Sequence, residues 1–545
     1  MRKKITIAAC VAMMLVGLPA AGFGQAEHPT RQEVRDMTAA RVKLDEFYRI
    51  LTTSYLDTIG YGRLVDKGIV SMLSELDPHS AYLTADEMRE AQQSFSGSFS
   101  GIGVEFNVLN DTITVINTIP GGPAESVGVM PNDRIVGIDG RNAVGMKRTD
   151  VPNYLRGERD SKVGITVFRR GAPEPLDFTI TRGDIPLHTV DAAYKPDNRT
   201  GYIKVNRFAG NTMSEFAEAF VGFGRIDGLI LDLRGNGGGL LPQALYMSEF
   251  FLNKGDVIVS TEGNLEPTRV MRATRNGAYN KGRLIVLIDE NSASGSEIVA
   301  GAVKDWDRGI LIGRPTFGKG LVQRQFDMSD GSGLRITIAR YLTPSGRAIQ
   351  RPYELGHKED YYAEHYKRYG SLPDSIDTSG PVYHTLKSHR AVYGGGGIRP
   401  DIAVPIDTLG YSDYWAKLLR AGMINEFVQN YLDANRPALV QKYPTFEQYE
   451  ADTTLSTALV EGLTAYAASR GIPVDDEGLA TSGEWLCIQL KGLVAQRLWG
   501  PTEYYRIVNP SYDPVFKKAT TVMQRWYDLD TETVSEKLLR ELTKD

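Results

Sequence analysis

Two stretches of the chain carry the same pattern. Gly228-Leu229-Ile230-Leu231-Asp232-Leu233 and Leu284-Ile285-Val286-Leu287-Ile288-Asp289 are short, nearly continuous apolar runs bounded by turn formers. Each leads through small residues into an apolar stretch of helical spacing, Leu241 to Phe251 and Ile298 to Val303. Continuous apolar runs of this length predict buried strands, and strand, turn and helix in succession predict an α/β layer. Strands are also predicted at Thr200 to Val205, Gly333 to Leu342 and Ile402 to Pro405, with a helix from Met213 to Phe223. On the amino-terminal side, Arg31 to Gln93 shows helical spacing at Val42, Leu44, Phe47, Ile50 and Leu51, and again at Leu64, Val65, Ile69, Met72 and Leu73. Ser96 to Asp184 turns to short β-rich runs between glycines, with one helix from Val151 to Arg156. From Ser412 onward four helices are predicted: Trp415 to Leu432, Thr454 to Ser469, Trp485 to Trp499 and Pro514 to Trp526.

At 545 residues the chain exceeds a single ordinary core, so two to four domains are expected. A net charge of −5 provides no basic footprint, which argues against nucleic acid as a partner. Met1-Arg2-Lys3-Lys4, the apolar stretch Ile5 to Leu18 and the small residues up to Ala26 read as a secretory signal. About 14 apolar residues are too few to span a bilayer, so export is expected. Cys10 lies inside the apolar run and is a poor lipid-attachment site. Without the signal Cys487 is the sole cysteine, and no intrachain disulfide can form.

The chemistry concentrates between Leu284 and Gln323. Asn291-Ser292-Ala293-Ser294-Gly295-Ser296-Glu297 places Ser294 where a strand hands over to a helix, facing unpaired N–H groups and the positive end of the helix dipole. Lys319 lies between Gly318 and Gly320. If Lys319 to Phe326 is a strand, then Lys319, Leu321 and Gln323 share a face. A lysine buried beside an apolar side chain and an amide loses its proton more readily, and the neutral amine is a competent base for a serine hydroxyl. Taken singly, Ser294 reads as a helix cap and Lys319 as solvated surface; the joint pattern argues otherwise. The run Arg234-Gly235-Asn236-Gly237-Gly238-Gly239 looks like a phosphate cradle but lacks the lysine and hydroxyl residue of a nucleotide loop, so a second oxyanion donor is the better reading. His357, His365, His384 and His389 form no ligand pair on one helical face, and no metal is expected.

The Ser294-Gly295-Ser296-Glu297 and Phe317-Gly318-Lys319-Gly320 motifs, with Val322-Gln323, resemble the carboxyl-terminal processing, or tail-specific, proteases. The resemblance implies Ser294 as nucleophile, Lys319 as base, Gln323 as the group holding the lysine, and the N–H groups of Gly238 and Gly295 as oxyanion hole. Alanine is commoner in that family where Gly295 stands. Asp305 falls where some members carry an aspartate, and its place late in a helix reads as structural. Leu76-Asp77-Pro78-His79-Ser80-Ala81-Tyr82-Leu83 is similar to a family segment preceding a peptide-binding domain, with His79 read as packed. The run from Phe99 to Phe106 and the elements after it resemble a PDZ domain, with Gly101, Ile102, Gly103 and Val104 in the loop that would hold a peptide carboxylate.

The expected fold is a multidomain α/β protein. It comprises a signal (1–26), an amino-terminal helical region (27–95), a PDZ domain (96–184), a crotonase-like α/β protease core (185–350 and 393–408), an insertion or linker (351–392) and a carboxyl-terminal helical region (409–545). The expected function is an exported, periplasmic or envelope-associated serine endopeptidase that grips protein C-terminal tails and needs no cofactor. The rivals are a peptide-binding scaffold without proteolysis and a Ser/His hydrolase using an insertion histidine. An adaptor or activator and a homo-oligomer remain open as partners.

Overall fold

The computed structural model describes residues 30–544 except 110, 120, 170, 265–266, 369–379, 408–409 and 530. The secretory signal expected at residues 1–26 lies outside the described residues. Among those described, no helix is long and apolar enough to cross a membrane.

The centre is a six-stranded sheet in the order Val190–Tyr194, Thr200–Val205, Gly228–Asp232, Arg283–Ile288, Ile310–Gly313, Ile402–Ala403. The first pair is antiparallel and the rest are parallel. Alternate residues of each strand point to opposite faces. Ile203, Leu231, Val286 and Leu311 meet Phe216, Met247 and Val299 of the helices Thr212–Gly222, Leu241–Phe251 and Gly295–Asp305. On the other face Tyr202, Ile230, Ile285 and Ile312 meet Phe516, Val522, Trp526 and Leu538 of Pro514–Tyr527 and Glu536–Thr543. Coverage of both faces is why these strands are apolar throughout instead of alternating.

A second sheet joins Ala81–Leu83, Gly333–Leu342, Val257–Glu262 and Arg269–Arg272, with Leu321–Asp327 also paired to Gly333–Leu342. The strand expected to begin at Lys319 begins at Leu321, and its register shifts between Val322 and Gln323. Strand Val257–Glu262 buries Ile258, Val259 and Thr261, whereas Arg269–Arg272 is largely exposed and depends on that strand for its pairing.

Between Ser98 and Pro186 lies a separate β-rich unit. Its antiparallel sheet runs Val104–Leu109, Thr112–Thr118, Arg134–Ile138, Lys162–Phe168, Leu176–Thr181, around a core that includes Ile113, Ile135 and Val167. Strands Ser98–Gly101 and Gly183–Pro186 pair with each other where the chain enters and leaves it. Among the described residues Val104–Leu109 pairs with a strand on one side only, which makes it an edge strand of this sheet.

The residues expected to form one carboxyl-terminal helical region pack in two groups. Helices from Asp413 to Leu498 enclose their own core of Tyr414, Phe427, Leu459 and Leu486. Those from Pro514 onward belong to the central sheet. The helix expected from Trp415 to Leu432 is broken into Asp413–Arg420 and Met423–Lys442, with Gly422 at φ +71° between them. The insertion contains a helix, Lys358–Arg368, whose Tyr361 and His365 are buried.

Trp526 is fully buried against the sheet and its indole N–H donates to the Thr531 carbonyl at 2.7 Å. Trp526→Ala should destabilise the protein by about 3–5 kcal/mol, as large-to-small changes in packed cores do. Denaturant unfolding followed by near-UV circular dichroism checks this, and a loss under 1 kcal/mol, roughly the range of a surface change, would mean that the helix is not part of the core.

Candidate active site

Ser294 stands at the junction of strand Arg283–Ile288 and helix Gly295–Asp305, with φ 54° and ψ −109°. A non-glycine residue at positive φ is strained by about 1–3 kcal/mol and persists where the surroundings over-determine it. They do so here. Asn236 O accepts from Ala293 N–H at 3.0 Å and from Ser296 Oγ at 2.8 Å, and Ser292 Oγ donates to Leu233 O at 2.9 Å. The glycine loop after Gly228–Asp232 is thereby fastened to the serine turn. At Gly238, with φ +97°, a Cβ would come within 2.8 Å of Ser294 Cβ and 2.9 Å of Gly295 N, so only glycine fits there. Gly295 is the first residue of its helix and its N–H has no carbonyl of that helix to donate to. The Gly238 N–H donates to Asn236 Oδ1 at 2.9 Å.

Lys319 reaches the same place from the loop before Leu321–Asp327. Its Nζ donates to Gln323 Oε1 at 2.9 Å rather than to Ser294 Oγ. Burial pushes the lysine below its ordinary value. Arg335, from the paired strand Gly333–Leu342, adds to this as a nearby cation, while Glu297 and Asp77 act in the opposite direction. Pairing of the two strands brings Arg335 in, although it lies 16 residues from Lys319 in sequence. Gln323 Nε2 donates to the His79 carbonyl in a short contact. A carbonyl can only accept, so the amide is oriented with Oε1 toward the lysine.

Glu297, fully buried, connects the two halves. Its Oε2 accepts from the Ser294 and Lys319 N–H groups, each at 2.9 Å. Its Oε1 accepts from Gly318 N–H at 2.8 Å and Thr316 Oγ1 at 2.6 Å. Burial raises its pKa and these donors act against the rise. In the sequence Glu297 stands as a helix-start signal and as the last residue of the serine motif. Its spacing from Ser294 is that of a capping box, but nothing local shows that the second oxygen serves a loop twenty residues on. Tyr341 is a further residue that sequence gave no means of finding. Burial pushes its phenol up to about 12, and it faces the Ser294 hydroxyl.

The remaining candidates have structural partners. His79 is buried beside Tyr361 at 5.3 Å between ring centroids, and burial followed by the Lys319 charge pushes it down to about 3. Asp305 ends the serine helix, about 15 Å along its axis from Ser294. There it accepts from Arg347 Nη2 at 2.8 Å and Ser345 Oγ at 2.7 Å. His357 pairs with Asp360, and among the described residues no group of His, Cys, Asp and Glu forms a metal cluster.

In the β-rich unit the carbonyls of Ile102 and Gly103 accept from Ala124 and Ile119 N–H groups, at 2.8 and 2.9 Å. Gly103 has φ +76° and a Cβ there would meet Ile185 Cδ1 at 3.0 Å. The loop Gly101 to Val104 therefore ends at the edge strand Val104–Leu109.

Comparison with known proteins accords with this geometry. The profile of peptidase family S41 matches residues 199–362, a PDZ domain profile residues 100–180, and a family of unknown function residues 414–500. A carboxy-terminal-processing protease of Bartonella bacilliformis is 36% identical over 316 residues, covering 56% of this chain and 72% of that protein. The carboxy-terminal processing protease CtpA of Bacillus subtilis is 34% identical over 312 residues, 57% of this chain and 66% of its own. A probable CtpA-like serine protease of Staphylococcus aureus is 35% identical over 314 residues, 56% and 62% respectively. With its serine turn and lysine loop both inside the residues that the S41 profile matches, the chain belongs to the carboxy-terminal-processing serine proteases of peptidase family S41, its PDZ domain included.

Proposed function

We propose that this serine endopeptidase cuts with Ser294 as nucleophile and Lys319 as general base. The observation that carries the reading is the Glu297 carboxylate, which accepts from the main-chain N–H of both residues and so fixes one against the other. The neutral Lys319 amine takes the proton of Ser294 Oγ as it attacks the peptide carbonyl. The lysine then returns that proton to the leaving amine and activates the water that hydrolyses the acyl-enzyme. Gln323 holds Nζ by one N–H and leaves the lone pair for the serine. The two groups come within hydrogen-bond reach when substrate fills the site, since catalytic contacts are often loose in the free enzyme. Gly295 N–H is one oxyanion donor. Gly238 N–H is the other once it leaves Asn236 Oδ1 for the developing charge.

The PDZ domain recognises C-terminal peptides, and the loop Gly101-Ile102-Gly103-Val104 is the proposed cradle for the terminal carboxylate. The N–H groups of Ile102 and Gly103 donate to no described residue, and the peptide adds as a strand beside Val104–Leu109. The mostly parallel sheet with helices on both faces supports a crotonase-like core from 185 to 350 and 393 to 408, completed by the helices from Pro514 onward, beside a helical region before residue 96 and another formed by the helices from Asp413 to Leu498. The amino-terminal pattern supports export to the periplasm or envelope. A homo-oligomer is supported by helices Arg31–Ser54 and Tyr61–Ser74, which bury none of their residues although Met37, Leu44, Phe47 and Ile50 are apolar. Most of a helix's stability in a protein comes from packing its apolar side, and a second copy would supply that packing here.

Because burial lowers the Lys319 pKa, the competent neutral form appears as pH rises through that value, and kcat/KM should rise along a single limb with its midpoint below the ordinary lysine value. Lys319→Ala and Lys319→Arg should both lose about 10²–10⁴-fold, because a guanidinium keeps its proton, and Gln323→Ala should lose less. Substantial turnover by Lys319→Arg would remove the lysine from the role of base. Ser294→Ala should abolish cleavage altogether.

Gly103→Val should weaken cleavage of proteins with apolar C-termini while Ser294 still labels with a small active-serine probe; equal loss of both would merge the two sites. Light scattering should give a mass above that of one chain. Replacing Leu44 and Phe47 together by Glu should return it to one chain, and an unchanged mass would place any association elsewhere.

A further inference from the structure

Asp513 lies at the turn between helices Pro501–Tyr512 and Pro514–Tyr527, more than two hundred residues beyond the glycine loop in sequence. Its carboxylate nevertheless forms a two-point contact with Arg234, the residue that opens that loop: Nη1 to Oδ1 at 2.9 Å and Nη2 to Oδ2 at 2.7 Å. The same guanidinium donates to Asp232 through Nη2 at 2.6 Å and Nε at 3.0 Å. Asp232 is fully buried and also accepts from Tyr202 OH at 2.7 Å. Lys204 Nζ donates to the Arg234 carbonyl at 2.9 Å. Arg234 thus sits between two carboxylates, with its main chain held as well.

From there the loop is fastened residue by residue to the serine turn. Gly235 N–H donates to Asp289 Oδ1 at 3.0 Å, Asn236 O receives Ala293 N–H, and Gly238 abuts Ser294. A displacement at Arg234 is therefore carried to the main chain that faces the reacting carbonyl. We infer that Asp513 is a positioning residue for the glycine loop: through Arg234 it sets where that loop lies against Ser294, and it makes the carboxyl-terminal helices part of the active site's scaffold. The inference rests on the reading of Ser294 as nucleophile.

Asp513 has a second role that the test must separate. Its Oδ1 caps the helix Pro514–Tyr527, accepting from Val515 and Phe516 N–H at 2.9 and 3.0 Å. Asparagine and serine are comparable caps, so Asp513→Asn and Asp513→Ser keep the helix start while removing the charge or the reach to Arg234. In the full chain both variants should keep the parental melting temperature within a few degrees and the parental KM for a peptide substrate. Their kcat should fall about 10- to 100-fold, the scale of a misplaced catalytic environment, and active-serine probe labelling should slow in parallel. If Asp513→Ser is unstable, Asp513→Asn, which keeps shape and cap, decides. Parental kcat in Asp513→Asn, or a loss matched by its loss of folded fraction, would overturn the inference. Ser294→Ala run alongside separates the two readings, since activity retained there would overturn the nucleophile assignment instead.

Discussion

The serine turn and the lysine loop both hang from the carboxylate of Glu297. A fully buried carboxyl group is costly unless every lone pair it presents is met, and here four donors meet it, three of them main-chain N–H groups. Main-chain donors cannot rotate away as side chains can. The carboxylate therefore fixes backbone against backbone, and the positions of Ser294 and Lys319 follow. The strained φ of Ser294 is held by the same clamp, with Asn236 and Ser292 closing the other side of the turn.

A second constraint acts on the lysine alone. Burial and Arg335 push its proton off, while Glu297 and Asp77 hold it on. The amide of Gln323 completes this environment only because the His79 carbonyl fixes its direction. His79 in turn is placed by Asp77, whose Oδ1 accepts from His79 N–H at 2.9 Å, Ser80 N–H at 3.1 Å and Thr337 Oγ1 at 2.9 Å. The segment before the PDZ domain thus serves Lys319 through its main chain. The histidine ring contributes packing against Tyr361 and the insertion helix.

At the far end of the serine helix, buried ion pairs do the fastening. Asp305 with Arg347, Asp307 with Arg390, and Asp401 with both Lys304 and Arg390 bind the insertion and the last core strand to that helix. Such pairs are strongly destabilising to break one-sidedly, which favours a single arrangement of these loops. Asp305 is one of these fasteners, remote from the serine.

By itself the sequence determined the parts whose signal is local. Continuous apolar runs announced the strands Gly228–Asp232 and Arg283–Ile288, small residues and a capping-type glutamate announced the Ser294 turn, and short β-rich runs between glycines, with the family resemblance, announced the PDZ domain; Val190–Tyr194 and Ile310–Gly313 came only from the structure. Ser294 and Lys319 stood out as candidates because few residue types can act as nucleophile or base, while Gln323 was marked by the family resemblance. Only the tertiary structure decided what depends on two distant segments meeting. Strand pairing brought Arg335 to Lys319, burial gave Glu297 four donors, and sheet packing set Asp513 on Arg234 and assigned the last helices to the protease core. Helical spacing shows that a helix has an apolar side, but which surface covers that side is a property of the assembled fold.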